Sequence, residues 1–138
     1  MGPIYFLSKE DILEIHADQL DHYSGQEGVR DEAGLESAVE APRHWSTYAE
    51  HEPGDLIPGI AATYLYTFAT SQHFIDGNKR TGAASADVFL QTNGYELSCA
   101  SDELYETTLR AAEKLVSREF VIEWMRERIV ARDPRDNG

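Results

Sequence analysis

The sequence has little of several features that usually point to function, and each shortage excludes a class of protein. Cys99 is the single cysteine among 138 residues, which excludes an internal disulfide and a metal cage built from cysteines. No apolar run approaches the roughly 18 residues of a membrane-spanning helix. The first residues lack the basic stretch and apolar segment of an export signal. We therefore expect a cytoplasmic protein with no membrane partner.

Positive charge is also scarce. Twelve Lys and Arg residues stand against 25 Asp and Glu residues, which gives a formal net charge of −13. Such a surface repels the phosphate backbone of nucleic acids, so we expect no direct nucleic-acid binding. Only three residues are lysine, namely Lys9, Lys79 and Lys114. Lys79 lies directly before Arg80, and this pair of adjacent cations is unusual in so acidic a chain.

Length and composition favour one globular domain. Hydrophobic residues make up 41% of the 138 residues, and the mean hydropathy is −0.48. This is enough chain for one domain with a buried core and too little for two domains of ordinary size. We predict a single domain over residues 1–138, with its core within 5–128 and a frayed polar tail over 133–138.

Apolar residues recur at helical spacing along most of the chain. The clearest set follows i, i+3, i+4, i+7, i+8 and i+11 and consists of Ile57, Ile60, Ala61, Tyr64, Leu65 and Phe68. Pro42 is predicted to end the second helix, because proline lacks an amide N–H. Ser117 is predicted to open the last helix, with Ile129 facing inward. The pattern predicts an all-α fold of about six helices, over 8–22, 31–41, 57–71, 78–93, 101–116 and 117–129.

The segment 72–82 contains the candidate functional residues. It reads Gln-His-Phe-Ile-Asp-Gly-Asn-Lys-Arg-Thr-Gly and lies between two apolar-periodic segments, so we predict a loop that leads into a helix N-terminus. Free backbone N–H groups and the positive end of the helix dipole favour phosphate at such a place. Asp76 adds an oxygen ligand of the kind that Mg²⁺ takes beside nucleotide phosphates.

The first residues of this helix each have two interpretations. Asp76 is either a metal ligand or the N-cap of the helix, and we favour metal. Gly77 allows a positive φ or the close approach of a ligand to the backbone, which both interpretations need. We expect Asn78 to cap the helix and to offer its amide to phosphate.

Lys79 and Arg80 are the residues that we expect to contact phosphate. Cations at a helix N-terminus oppose the dipole, so their presence there calls for an anionic partner. The structural alternative is that Arg80 pairs with Asp87, which lies about two turns further along the helix, while Lys79 points to water. Thr81 either donates to phosphate or caps its own helical turn.

These residues resemble the Fic/Doc family, and more closely its Doc (death-on-curing) toxin branch. The Fic signature reads His-x-Phe-x-Asp/Glu-Gly-Asn-Gly-Arg, and Doc relatives carry Lys in place of the last Gly. Phe74 and the run 76–80 match the Doc form in order and spacing, and the stretches 28–31 and 89–95 look Doc-like as well. The resemblance implies a single six-helix Fic-fold domain, with its active-site loop at the N-terminus of a central buried helix.

The resemblance also bears on residues 43–54, which look irregular. It suggests that this segment is a short β-hairpin flap that guides a target segment past the site. The alternative is a surface loop in which Trp45 and Tyr48 cover the core.

What the resemblance implies for function is a toxin of a toxin–antitoxin system. Such a protein would transfer phosphate from ATP, with Mg²⁺, to a hydroxyl of a protein substrate in translation. Lys79 implies transfer of the γ-phosphate rather than of AMP. Because the chain lacks a convincing built-in inhibitory motif, any inhibitor is expected to be a separate antitoxin protein.

One departure from the family pattern bears on catalysis. Family spacing puts the catalytic His two residues before Phe74, and that position is Gln72; His73 falls one place late. Gln cannot accept a proton near neutral pH. We therefore expect Gln72, Asp76, Lys79 and Arg80 to form the catalytic set, and residues 77–81 to bind the cofactor, with slow transfer. An AMP-transferase and an inactive protein that binds nucleotide or antitoxin remain as alternatives.

Overall fold

The computed structural model describes residues 2–132, so the tail predicted over 133–138 lies outside the described residues. The described chain contains six α-helices, a short 3-10 helix and two strands. Their bounds are α1 Lys9–Tyr23, α2 Glu32–Tyr48, the 3-10 helix Pro53–Asp55, α3 Leu56–Ala69, α4 Asn78–Thr92, β1 Tyr95–Leu97, α5 Glu103–Ala112, α6 Arg118–Arg126 and β2 Ile129–Ala131. The predicted all-α class is confirmed. Within residues 2–132, no helix combines the length and the apolar character needed to cross a membrane.

The core is built around α3. Tyr64, Leu65 and Phe68 have no exposed surface, and the helix packs against α4, α2 and α6. The buried Tyr64 hydroxyl has a hydrogen-bond partner, because it accepts a hydrogen bond of 2.8 Å from the Leu7 amide. Burial raises the pKa of Tyr64 to about 12. The centre of the protein is therefore a packed apolar helix whose polar atom has a partner.

The contact between α3 and α4 depends on Gly82. A Cβ added at this position would lie 2.7 Å from the carbonyl oxygen of Leu65, a distance that real side chains do not tolerate. The two helix backbones therefore approach each other directly. Since the segment 70–77 joins these two helices, its ends are held at a fixed separation by the core.

The second helix does not end at Pro42 as the sequence predicted. Helix α2 continues through Pro42 to Tyr48. Its buried residues recur at helical spacing on both sides of the proline, and they are Leu35, Ala38, Val39, Pro42 and Trp45. Burial of this continuous apolar face outweighs the loss of one helical hydrogen bond at Pro42. The proline itself lies in the core.

The continuation of α2 also shows that the predicted flap position is wrong. Residues 43–48 form the last turns of α2, and the described chain has no strand within 43–54. Trp45 does cover the core, at 8% exposure, but Tyr48 is 74% exposed. The small antiparallel sheet of the protein lies elsewhere and pairs β1 with β2, in the register Tyr95↔Ala131, Glu96↔Val130 and Leu97↔Ile129.

The last helix begins as predicted and ends earlier. The Ser117 side chain accepts a hydrogen bond of 3.1 Å from the Phe120 amide and so caps α6. The helix ends at Arg126, and Ile129 belongs to β2. The prediction that Ile129 extends the helix was wrong, because pairing with Leu97 on β1 satisfies its backbone instead.

Candidate functional site

The motif leads into a helix N-terminus, as the sequence predicted. Gly77 precedes α4 with φ of 83°, a left-handed conformation that only glycine adopts readily. The first helical hydrogen bond runs from the Thr81 amide to the Gly77 carbonyl oxygen at 2.9 Å. Within residues 2–132, the amides of 77–80 have no hydrogen-bond acceptor. Four N–H groups at the positive end of the helix dipole are therefore available to a ligand.

Asn78 closes the loop and does not cap the helix. Its Oδ1 accepts from the Phe74 amide, and its Nδ2 donates to the Phe74 carbonyl oxygen, both at 3.0 Å. Phe74 itself is fully buried. The predicted capping role was wrong because both polar atoms of the amide are engaged by the backbone of the preceding turn. Asn78 thus holds the loop 74–78 in shape.

A second segment, far away in sequence, supports the loop from outside. The amides of Arg30 and Asp31 donate to the His73 carbonyl oxygen at 2.7 and 3.1 Å, and the Ile75 amide donates to the Gly28 carbonyl oxygen at 3.1 Å. We call residues 28–31 the strap. These three main-chain bonds fix the backbone of 73–75 against the strap. They therefore also fix the backbone from which the His73 side chain extends.

The strap contacts both Gln72 and His73, the two positions considered for a general base, and places them in different surroundings. Gln72 lines the cleft beside the motif, and its Oε1 accepts a hydrogen bond of 2.7 Å from Arg30 Nη1. His73 does not line this cleft; its Nδ1 lies 3.6 Å from Asp31 Oδ2 on the strap. The assignment of the base position to Gln72 and not to His73 agrees with this geometry.

Asp76 holds a neighbouring loop and keeps one oxygen available. Its Oδ2 accepts a hydrogen bond of 2.8 Å from the Gln26 amide, whereas Oδ1 has no partner among the described residues. The carboxylate therefore does not cap α4, which was the alternative to metal binding. No group of three or more His, Cys, Asp or Glu side chains within residues 2–132 is arranged to hold a metal ion.

His16 is a site residue that the sequence reasoning missed. It is 6% exposed, and its ring stacks on Phe74 with a centroid distance of 3.8 Å. Its Nε2 lies 2.8 Å from the Asp76 carbonyl oxygen, so Nε2 carries a proton and donates it. A lone histidine within a helix gave no signal of this contact, which joins positions 60 residues apart.

The two cations of the motif differ in their surroundings. Lys79 is exposed and has no ion-pair partner among the described residues. The Arg80 guanidinium lies over the rings of Tyr23 and Tyr105, 3.5 and 4.1 Å from their centroids. Arg80 does not pair with Asp87, whose carboxylate accepts from Gln91 Nε2 at 3.0 Å and whose pKa is raised by burial. Neither cation is therefore neutralised by an acid in the described chain.

These residues converge on one open cleft of about 680 Å³, a size typical of small-molecule sites. The predicted site residues that line it are Gln72, Asp76, Gly77, Asn78, Lys79 and Arg80. Thr81 is not among them: it is fully buried, and its hydroxyl has no partner within residues 2–132. Tyr23, Tyr105 and Glu113 also line the cleft; they come from α1, α5 and the residue after α5, and the motif gave no indication of them.

Comparison with known proteins agrees with this geometry. The model of the Fic/DOC family matches residues 6–90, which is more than half of the chain. The protein named "Protein kinase doc" of Escherichia phage P1 is 32% identical over 120 residues, which cover 87% of this chain and 92% of that protein. The protein named "Toxin Doc" of Mycolicibacterium smegmatis is 33% identical over 100 residues, covering 70% and 71%. The chain therefore belongs to the Fic/DOC family.

Proposed function

We propose that this protein is a Doc-like toxin whose cleft binds ATP with Mg²⁺ and transfers the γ-phosphate slowly to a hydroxyl of a target protein. The observation that carries the proposal is the convergence of two cations without acidic partners, Lys79 and Arg80, on the free N-terminus of α4. The cleft also contains the acids Asp76 and Glu113, but the two cations lie together at the positive end of a helix dipole. Phosphate oxygens are acceptors that such an arrangement binds well.

Asp76 supports the metal part of the proposal. Its Oδ1 has no partner among the described residues, and its Oδ2 is already held by the Gln26 amide. A carboxylate with one free oxygen, next to a phosphate site, is the arrangement that Mg²⁺ commonly uses beside nucleotides. When bound, the metal would supply charge neutralisation to the phosphates.

In the proposed reaction, the substrate oxygen forms a bond to the γ-phosphorus, and the bond from that phosphorus to the β-phosphate oxygen breaks, which releases ADP. The hydroxyl proton must leave during this step. Gln72 cannot take it, and His73 does not line the cleft; in this proposal the proton passes to solvent water. In-line phosphoryl transfer depends mainly on positioning and charge, and a missing base costs about 10²- to 10⁴-fold in rate.

This same geometry favours a second candidate, a protein that binds nucleotide without turnover. The specific observation is that Gln72 Oε1 is engaged by Arg30 and that His73 lies outside the cleft. In that case the toxin-like fold would act by binding alone. The two candidates share the ATP site and differ only in transfer.

Incubation with labelled ATP tests these functions. Equal samples receive γ-labelled or α-labelled ATP, Mg²⁺ and cell lysate, and the labelled proteins are separated. We expect ATP binding by the purified chain and slow transfer of γ-label. Binding with no transfer over hours identifies the nucleotide-binding candidate, and α-label on protein identifies an AMP-transferase. Failure to bind ATP at millimolar concentration contradicts the proposal as a whole.

The proposal extends to a partner and a location. Since a relative carries the name "Toxin Doc", we propose that a separate antitoxin protein restrains this chain in the cytoplasm. Co-expression with the product of a neighbouring small reading frame should yield a stable complex. Toxicity that the small protein does not relieve would contradict this part.

A further inference from the structure

The hydrogen bond between Arg30 and Gln72 is the starting point. Arg30 Nη1 donates to Gln72 Oε1 at 2.7 Å, and this is the only hydrogen bond or ion pair of the Arg30 side chain within residues 2–132. Arg30 itself does not line the cleft, whereas Gln72 does. The backbone of Arg30 is fixed separately, through the bond from its amide to the His73 carbonyl oxygen.

This bond determines which end of the Gln72 amide faces a ligand. A guanidinium has donors only, so the atom of Gln72 that it meets must be the acceptor oxygen. The NH₂ group lies on the other side of the amide carbon and has no hydrogen-bond acceptor within residues 2–132. We propose that Arg30 is a positioning residue that turns Gln72 into a hydrogen-bond donor toward a phosphoryl group in the cleft. The inference rests on the proposed function, because it takes the ligand to be ATP.

The cleft also contains the carboxylates of Asp76 and Glu113, but the main chain and the cations of 77–80 agree with a donor at position 72. The amides of residues 77–80, the Lys79 ammonium and the Arg80 guanidinium are all donors. The Gln72 NH₂ group would add one more donor to this set, which suits phosphoryl oxygens. A general base at the same position would instead accept a proton from the substrate hydroxyl. Gln72 lines the cleft and His73 does not, and the His73 ring lies near Asp31 of the strap instead. On this inference, Gln72 donates a hydrogen bond to a phosphoryl oxygen at the position where the family's catalytic His would accept a proton.

A double-mutant cycle separates positioning by Arg30 from its charge. ATP affinity is measured by calorimetry for the full chain, for Arg30→Met, for Gln72→Met and for both changes together. We expect Arg30→Met to weaken ATP binding roughly threefold to tenfold, the effect of one misaligned hydrogen bond. In the Gln72→Met background the same change should have almost no effect, because Arg30 acts through Gln72. An equal loss in both backgrounds would show that Arg30 acts by its own charge and would overturn the inference.

Arg110→Met is the matched control, since it removes one positive charge from an exposed position on α5 and leaves the cleft intact. It should leave ATP affinity unchanged within error. Loss equal to that of Arg30→Met would mean that any lost cation weakens binding, and the inference would fail.

A spectroscopic measurement decides the orientation without reference to ATP. The side-chain amide signal of Gln72 is assigned by its absence from the spectrum of Gln72→Met. We expect Arg30→Met to shift this signal while the backbone signals of α3 and α4 stay in place. An unmoved signal would refute the positioning role, whatever the ATP result. A shifted signal in a protein that binds no ATP would support the positioning and contradict the proposed function instead.

Discussion

Restoring an imidazole at position 72 is the most informative single perturbation of this site. Gln72 faces the cleft and lies 2.7 Å from the Arg30 guanidinium through its oxygen. In Gln72→His, the new ring would occupy the same place, with the backbone of the loop held by Asn78 and by the strap. The variant therefore introduces a proton acceptor at position 72 and leaves Asp76, Lys79 and Arg80 unchanged.

The expected magnitude follows from the added base and from the groups that surround it. A general base contributes about 10²- to 10⁴-fold to such a transfer. Arg30 disfavours the protonated ring by about 1 kcal/mol at 4 Å in water, and this water value applies because both side chains are exposed. The guanidinium therefore lowers the pKa of the imidazole and keeps it neutral near pH 7, where it can act as a base. Since the surrounding groups favour a donor, we expect a gain that can fall below this range but is at least about tenfold.

The assay follows γ-label on protein over time and over pH, at saturating ATP and Mg²⁺. Gln72→His should be faster than the unmodified chain, and adding Arg30→Met should move the acid limb of its pH profile to higher pH, because the ring then protonates more easily. His73→Ala should have little effect. Unchanged transfer in Gln72→His with intact ATP binding would refute the assignment of position 72, and loss of transfer in His73→Ala would show that His73 is the base.

Three further predictions concern the metal, the transferred group and stability. Asp76→Ala should abolish the Mg²⁺ dependence of ATP binding in calorimetry, and so should Asp76→Asn, which keeps an acceptor for the Gln26 amide; Mg²⁺ dependence that persists in Asp76→Asn would contradict the metal assignment. Lys79→Gly should reduce γ-transfer at least about tenfold, because it removes a phosphate-neutralising cation, and an unchanged rate would exclude this role. The pKa of Tyr64 is raised to about 12 from 10.0 by burial, so its stabilising effect is complete below pH 10 and is lost as the pH rises toward 12. Urea unfolding across this range should show a steeper alkaline decline for the unmodified chain than for Tyr64→Phe, and equal slopes would contradict the assignment.

Sequence alone predicted the parts of this protein that depend on local pattern. The apolar spacing of 57–68 predicted a buried helix, and α3 spans Leu56–Ala69. The motif predicted a helix N-terminus, and α4 begins at Asn78. Both depend on neighbouring residues, whose spacing a sequence displays directly. The predicted contact of Lys79 and Arg80 with phosphate stays a prediction.

What the sequence did not reveal depends on tertiary packing. The local effect of Pro42 predicts a helix end, but burial of apolar residues on both sides of it keeps the helix continuous. The flap over 43–54 was inferred from resemblance alone and fell on residues that the same helix occupies. The contacts of His16 and Arg30 with the motif join segments about 40 to 60 residues apart, and no periodicity marks such pairs.

The strap also has a consequence for the order in which the protein assembles. Helices α3 and α4 are neighbours in the chain, so they can pair early and cheaply. The strap is separated from the loop by about 40 residues, and contacts of that span form late because more chain entropy must be lost first. A chain in which α3 and α4 have paired but the strap has not docked therefore lacks the three main-chain bonds that hold the loop between these helices.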